Sequence, residues 1–184
     1  MNTQVNWPLV FYDKSFETGR EEIRVYLESV LEISVVDETL LDLAVQAFTT
    51  PGYAKENPGL KDYERLEFLG DAIIKAHVSE AIFKRYSWMD EGRMSKLCQH
   101  LWNNKTYPFC IMENGADFHN LILVSKSDRS QDVENKLNHI ASVVSDCYEA
   151  LIGALEISTS FETCGRIIDK TILNAADALV FIVS

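Results

Sequence analysis

No run of apolar residues in this 184-residue chain approaches the roughly 18 that a helix needs to cross a bilayer, so the sequence offers no membrane span. The opening MNTQVNWPLVFYDKSF lacks the basic region and long apolar stretch of a secretory signal, and it lacks the arginines of a mitochondrial presequence. Cysteine is sparse and scattered. Cys98, Cys110, Cys147 and Cys164 form no C-x-x-C pair, which argues against a zinc cluster or a disulfide framework. They read as reduced thiols of an intracellular protein, in cytoplasm or nucleus. Positive charge is also short: 17 Lys and Arg stand against 28 Asp and Glu, a net charge of −11. Composition alone therefore speaks against a nucleic-acid partner, since nothing here is the basic footprint that phosphate binding usually needs. Period-two alternation persists nowhere, and no repeat or low-complexity tract is found.

What the chain does have is helical periodicity and enough apolar residues, 47%, for a sizeable core. Its length suits one domain, with residues 1–18 as an N-terminal extension and 19–183 as a helical core. Ile23, Tyr26, Leu27, Val30 and Leu31 form an i, i+3, i+4, i+7, i+8 stripe that predicts a helix over 19–32. Asp37 is placed to cap a second helix carrying Leu40, Leu41, Leu43 and Ala44. Residues 51–62, with two prolines and two glycines, read as a loop. A long buried helix is expected over 63–86, and another from Asp90-Glu91 to about Asn103. An irregular segment follows over 114–134, with a short helix near 118–123. A second long apolar helix should cover 135–158, and a last one 161–182. The fold class is all-α, a compact bundle.

Acidic residues interrupt both long apolar helices. Glu67 and Asp71, at i and i+4, project from one face roughly 40° apart, among Leu66, Phe68, Leu69, Ala72, Ile73 and Ile74. Asp146 and Glu149, at i and i+3, do the same in SDCYEALIGAL. Each pair is accompanied by a glycine, Gly70 or Gly153, which is costly inside a helix unless something approaches closely. If the helices meet, four carboxylates cluster, and like charges in a partly buried site oppose one another unless a hard divalent cation neutralises them. The residues alone leave two readings open, a metal site or solvated charges on amphipathic helices.

YERLEFLGDAI at 63–73 resembles the signature of the ribonuclease III family, and SDCYEALIGAL at 145–155 resembles that family's second acidic motif. AFTTPGY at 47–53 and EGRMSKLCQHLWNN at 91–104 are similar to the flanking segments, so the resemblance covers about residues 20–182. It implies an all-helical, Mg²⁺-dependent endonuclease domain, with Mn²⁺ able to substitute, that cuts double-stranded RNA as a homodimer and leaves short 3′ overhangs. By this resemblance Glu67, Asp71, Asp146 and Glu149 are the metal-binding, catalytic carboxylates of a two-metal-ion hydrolysis. Glu64 and Glu91 are supporting residues, and Phe68 enters the partner subunit.

The departures matter as well. A histidine usual in the family's turn is missing from Phe48-Thr49-Thr50-Pro51-Gly52, and no lysine precedes Asp146 in Ser142-Val143-Val144-Ser145. Tyr63 before the E-R-L triplet leans toward the eukaryotic, Dicer-like branch. Nothing after the last helix leaves room for the accessory domain that binds double-stranded RNA, which suggests a separate RNA-binding partner. Lys84, Arg85, Arg93 and Lys96 are the candidate phosphate contacts. Trp88, Trp102 and Tyr107 read as packing residues, because duplex RNA hides its bases, and His77, His100, His119 and His139 have no ligand spacing. The alternative is a non-catalytic scaffold or dimer partner in an RNA-processing or ribosomal complex, against which the four intact carboxylates argue. A helical interaction module with fortuitous motifs is the third reading.

Overall fold

A computed structural model describes residue 11 and residues 13–102, 106–114, 118–129 and 133–174. Among them the regular structure is helical, with no strand and a single isolated parallel bridge between Thr49 and Leu123. Helix α1 spans Phe16–Ser29 and is capped by Ser15, whose Oγ accepts the Thr18 amide at 3.1 Å. It lies about three residues upstream of the expected 19–32. The Val30 and Leu31 amides turn back to the Tyr26 carbonyl, and Glu32 takes a left-handed φ of 56°, so the apolar stripe outlasts the helix. Helix α2, Glu38–Ala47, starts as expected, with Asp37 Oδ1 accepting from the Thr39 amide at 2.9 Å.

Residues 51–62 are only partly a loop. Helix α3 occupies Pro51–Glu56, because Thr50 caps it and Pro51 stands at the first helical position, where a missing N–H costs nothing. Thr50 is also tied to the Leu123 carbonyl through both its amide (3.1 Å) and its hydroxyl (3.0 Å). The Tyr63 amide in turn reaches the Thr49 carbonyl at 3.0 Å, which fixes the entry of the next helix.

Helix α4, Glu64–Arg85, and helix α5, Glu91–Leu101, match expectation, the latter capped by Asp90 on the Arg93 amide. Helix α6, Thr106–Asn114, is not assigned by the sequence reading. A 3₁₀ turn, Phe118–Leu121, and a short helix α7, Lys126–Arg129, give the expected irregular segment its order. Helix α8 covers Val133–Ser158. Helix α9 is α-helical only over Phe161–Ile168 and continues as a π turn, Asp169–Leu173, while residues 175–182 of the expected 161–182 helix lie outside the described residues. Residues 1–10 and 12 of the expected N-terminal extension also lie outside them.

The core runs along the α4/α8 pair, the most extensive helix contact in the fold, with α2 and α6 packed on α8. Leu66, Ile73, Ile74 and Val78 of α4 are buried, as are Val143, Val144, Cys147, Ala150, Leu151 and Ala154 of α8. Tyr26, Phe48, Phe118 and Tyr148 form an aromatic cluster at one end of this core, with centroids 4.9–6.3 Å apart along its edges. No helix among the described residues is long and apolar enough to cross a membrane.

Candidate active site

The α4/α8 crossing is a backbone contact. A Cβ on Gly70 would lie 1.7 Å from the Glu149 carbonyl oxygen, and one on Gly153 would lie 2.2 Å from the Leu66 carbonyl oxygen. Only glycine admits this approach at either position. Glu67 and Asp71 flank Gly70 on α4, and Glu149 and Asp146 lie one and two turns before Gly153 on α8. The close crossing therefore brings the two acidic pairs to one edge.

Glu67, Asp146 and Glu149, each partly buried, offer carboxylate oxygens that all lie within 4.8 Å of one another. Asp71 stands beside them, but its carboxylate is engaged by Lys75 Nζ, one turn further along α4, at 2.8 Å. The structure thus gathers three of the four sequence-predicted carboxylates into one cluster and holds the fourth at its rim. The Tyr63 hydroxyl donates to Asp146 Oδ2 at 3.2 Å from the N-cap position of α4.

Burial and mutual repulsion raise these acids. Desolvation, followed by the charges of Asp71, Asp146 and Glu67, pushes Glu149 up to about 8. Desolvation, followed by Asp146, Glu64 and Asp71, pushes Glu67 up to about 7. Asp146 is also raised by burial, although hydrogen bonds from Tyr63 and Ser142 pull it back. Three oxygen donors that resist ionisation in one another's company form the donor set that a hard divalent cation matches, because the cation repays both the desolvation and the repulsion.

The supporting residues are more dispersed. Glu64 is exposed in the first turn of α4 and adds its charge to Glu67. Glu91, exposed at the start of α5, accepts the Ser95 hydroxyl at 2.8 Å. Lys84 is paired with Glu80 at 2.5 Å, and Arg85 donates to the Leu173 carbonyl at 3.4 Å. Both lie about 25 Å along α4 from Glu67, at ~1.5 Å per residue, so they are not neighbours of the acidic cluster. Arg93 sits 5.9 Å over the Trp88 ring, and Lys96 is exposed. Phe68, between the two α4 acids, is 83% exposed and borders an open groove with Leu43, Leu60, Leu69 and Ile157.

Lys75 is absent from the sequence reading, although its i+4 spacing from Asp71 is a legible helix pairing. Tyr63 figures there only as a departure from a family pattern, and its bond to Asp146 crosses between helices, which periodicity does not reveal. Tyr107 and Trp102, read as packing residues, line a cleft of about 270 Å³ with Ala141, Ser142, Ser145, Asp146 and Glu149.

Comparison with known proteins places this geometry. A family model described as Ribonuclease-III-like matches residues 37–176. Ribonuclease 3 of Leuconostoc citreum is 30% identical over 165 residues, covering 89% of this chain and 67% of that protein. Ribonuclease 3 of Bacillus cereus is 33% identical over 156 residues, covering 83% of this chain and 60% of that protein. The chain thus spans about three fifths to two thirds of the length of these relatives. Two solved structures of the nuclease domain of ribonuclease III from Campylobacter jejuni superpose with TM-scores of 0.61 and 0.60 at 30% and 31% identity. They cover 80% and 79% of this chain, and 97% and 92% of their own. These relatives are bacterial, so the lean toward the Dicer-like branch that Tyr63 suggested is not supported. With the two acidic helices joined at paired glycines and the match spanning residues 37–176, the chain belongs to the ribonuclease-III-like family.

Proposed function

We propose that this chain is the catalytic domain of a double-stranded-RNA endonuclease, active with Mg²⁺ or Mn²⁺ and leaving short 3′ overhangs. The observation that carries the reading is the meeting of Glu67, Asp146 and Glu149 within 4.8 Å at the α4/α8 crossing, with Asp71 at its rim. Glu67, Asp71, Asp146 and Glu149 would hold two divalent ions, whose chemistry is to activate water and to stabilise the leaving 3′-oxygen of a phosphodiester. The chain's own residues do the rest. The rigid crossing sets the spacing of the carboxylates, Tyr63 orients Asp146, and Lys75 shields Asp71 until the site is filled.

A two-fold dimer supplies two such sites across a duplex, and the exposed Phe68 with its neighbouring groove supports that assembly. One of the Campylobacter structures is described by its region involved in dimer formation, which agrees with a dimer here. The acidic surface, net −11, supports a separate RNA-binding partner or segment that supplies the affinity this domain lacks. The free cysteines, three of them buried, support an intracellular setting, in cytoplasm or nucleus.

The test is cleavage of long duplex RNA. Mg²⁺ or Mn²⁺ should support cutting and Ca²⁺ should bind without turnover. Asp71→Asn and Glu149→Gln should each abolish cutting with helical content intact by circular dichroism. Near wild-type cleavage by either variant would remove that residue from the ligand set.

A further inference from the structure

Tyr107 is the second residue of α6, and its ring is buried, 5% exposed, between Trp102 and Tyr148. Both neighbours meet it edge-on, at centroid distances of 6.0 and 6.1 Å and interplanar angles of 76° and 86°. The ring is therefore fixed in direction. The residue lines the same cleft as Asp146 and Glu149, and its buried hydroxyl makes no well-formed hydrogen bond. Glu149 nevertheless acts on it: after desolvation this carboxylate's charge is the largest influence raising the phenol, and a weak side-chain hydrogen-bond interaction with Glu149 adds to it last. The other tyrosines of this region are satisfied: Tyr148 pairs with the Thr171 hydroxyl, and Tyr63 pairs with Asp146.

A buried hydroxyl left unpaired costs on the order of 1–3 kcal/mol, and phenylalanine would fill the same space without that cost. A tyrosine here needs a state in which its hydroxyl is used. The neighbouring acceptor is Glu149, and when ionised that group can accept a charge-assisted bond at least as strong as a neutral one.

We propose that Tyr107 is a positioning residue for the metal site: its hydroxyl donates to the ionised Glu149 carboxylate and fixes the oxygen that Glu149 presents to the cation. This rests on the reading of Glu149 as a metal-ligating carboxylate. It pairs Tyr107 with Tyr63, one tyrosine on each of the two clustered α8 acids, Glu149 and Asp146. Hydrogen-bond partners of this kind typically contribute 10–100-fold to metal affinity.

The experiment is Tyr107→Phe in the full chain, with Mn²⁺ affinity measured by isothermal titration calorimetry well below the melting point of either protein, beside a melt without metal. Mn²⁺ affinity should fall roughly 10–100-fold. The metal-free melting temperature should hold or rise, since the hydroxyl removed makes no well-formed hydrogen bond. The Mn²⁺ concentration giving half-maximal cleavage should rise by the same factor. Affinity within about twofold of wild type overturns the proposal and leaves Tyr107 a packing residue. Absence of Mn²⁺ binding by the wild type overturns the metal-site reading itself, and this proposal with it.

Discussion

Gly70 and Gly153 meet backbone to backbone where α4 crosses α8: a Cβ on Gly70 would sit 2.9 Å from the Gly153 nitrogen, and one on Gly153 3.2 Å from the Gly70 nitrogen. The atoms such a methyl group would strike first are main-chain carbonyls, which cannot swing aside as a side chain can. Gly70→Ala and Gly153→Ala should therefore each cost more than about 3 kcal/mol, at or beyond the top of the usual overpacking range. Denaturant unfolding followed by circular dichroism measures this. A loss under about 1 kcal/mol would show that the crossing relaxes freely.

The raised acids give the metal-free protein a pH signature. An unfolded glutamate titrates near ~4.3, whereas Glu67 and Glu149 are pushed up to about 7 and about 8 in the fold. Between those values the folded chain binds more protons than the unfolded one. The stability from these groups is complete below ~4.3 and is lost as pH rises through 7 and 8. Without metal, the melting temperature should fall between pH 5.5 and 8.5, and Glu149→Gln should flatten that fall. The stabilisation given by Mg²⁺ should grow with pH over the same window, since the ion displaces those protons. A Mg²⁺-induced shift no larger at pH 8.5 than at pH 5.5 would contradict the assignment.

Phe68 tests assembly. The wild type should sediment as a dimer at tens of micromolar, and Phe68→Ala should weaken it at least about tenfold, the scale of an interface anchor. An unchanged dissociation constant would place the interface elsewhere. A wild-type monomer at that concentration would mean that this chain needs a different partner.

Charge sets the affinity for RNA. A dimer carries twice −11, or −22, and the candidate cations Lys84 and Arg93 are already engaged, by Glu80 and by the Trp88 ring. Duplex binding in Ca²⁺ should be weak and metal-dependent, with a shallow slope of log affinity against log salt. Tight binding without metal, or a slope implying six or so neutralised phosphates per dimer, would reveal a basic surface not apparent in these helices.

The carboxylates and their glycines were legible because both signals are local. Acids at i, i+3 or i+4 in apolar sequence and a costly glycine each stand out within one helix. What escaped was relational. Pro51-Gly52 reads as a breaker until Thr50 is seen to cap α3, and α6 hides behind Pro108 in its own first turn. The bond from Tyr63 to Asp146, and the approach of Tyr107 to Glu149, join segments far apart in the chain.

The crossing at Gly70 and Gly153 also has a consequence in time. Tyr63 and Asp146 are separated by 83 positions, and pairing Glu67 or Asp71 with Asp146 or Glu149 spans a similar gap. Closing such a loop is an entropic cost that local helical turns do not share, so the crossing belongs to the slower, long-range part of folding. A growing polypeptide carries Glu67 and Asp71 before Asp146 and Glu149 exist, so the carboxylate cluster cannot assemble until α8 has emerged and docked. On the proposed reading, a chain interrupted before α8 carries half of the acids and none of the site.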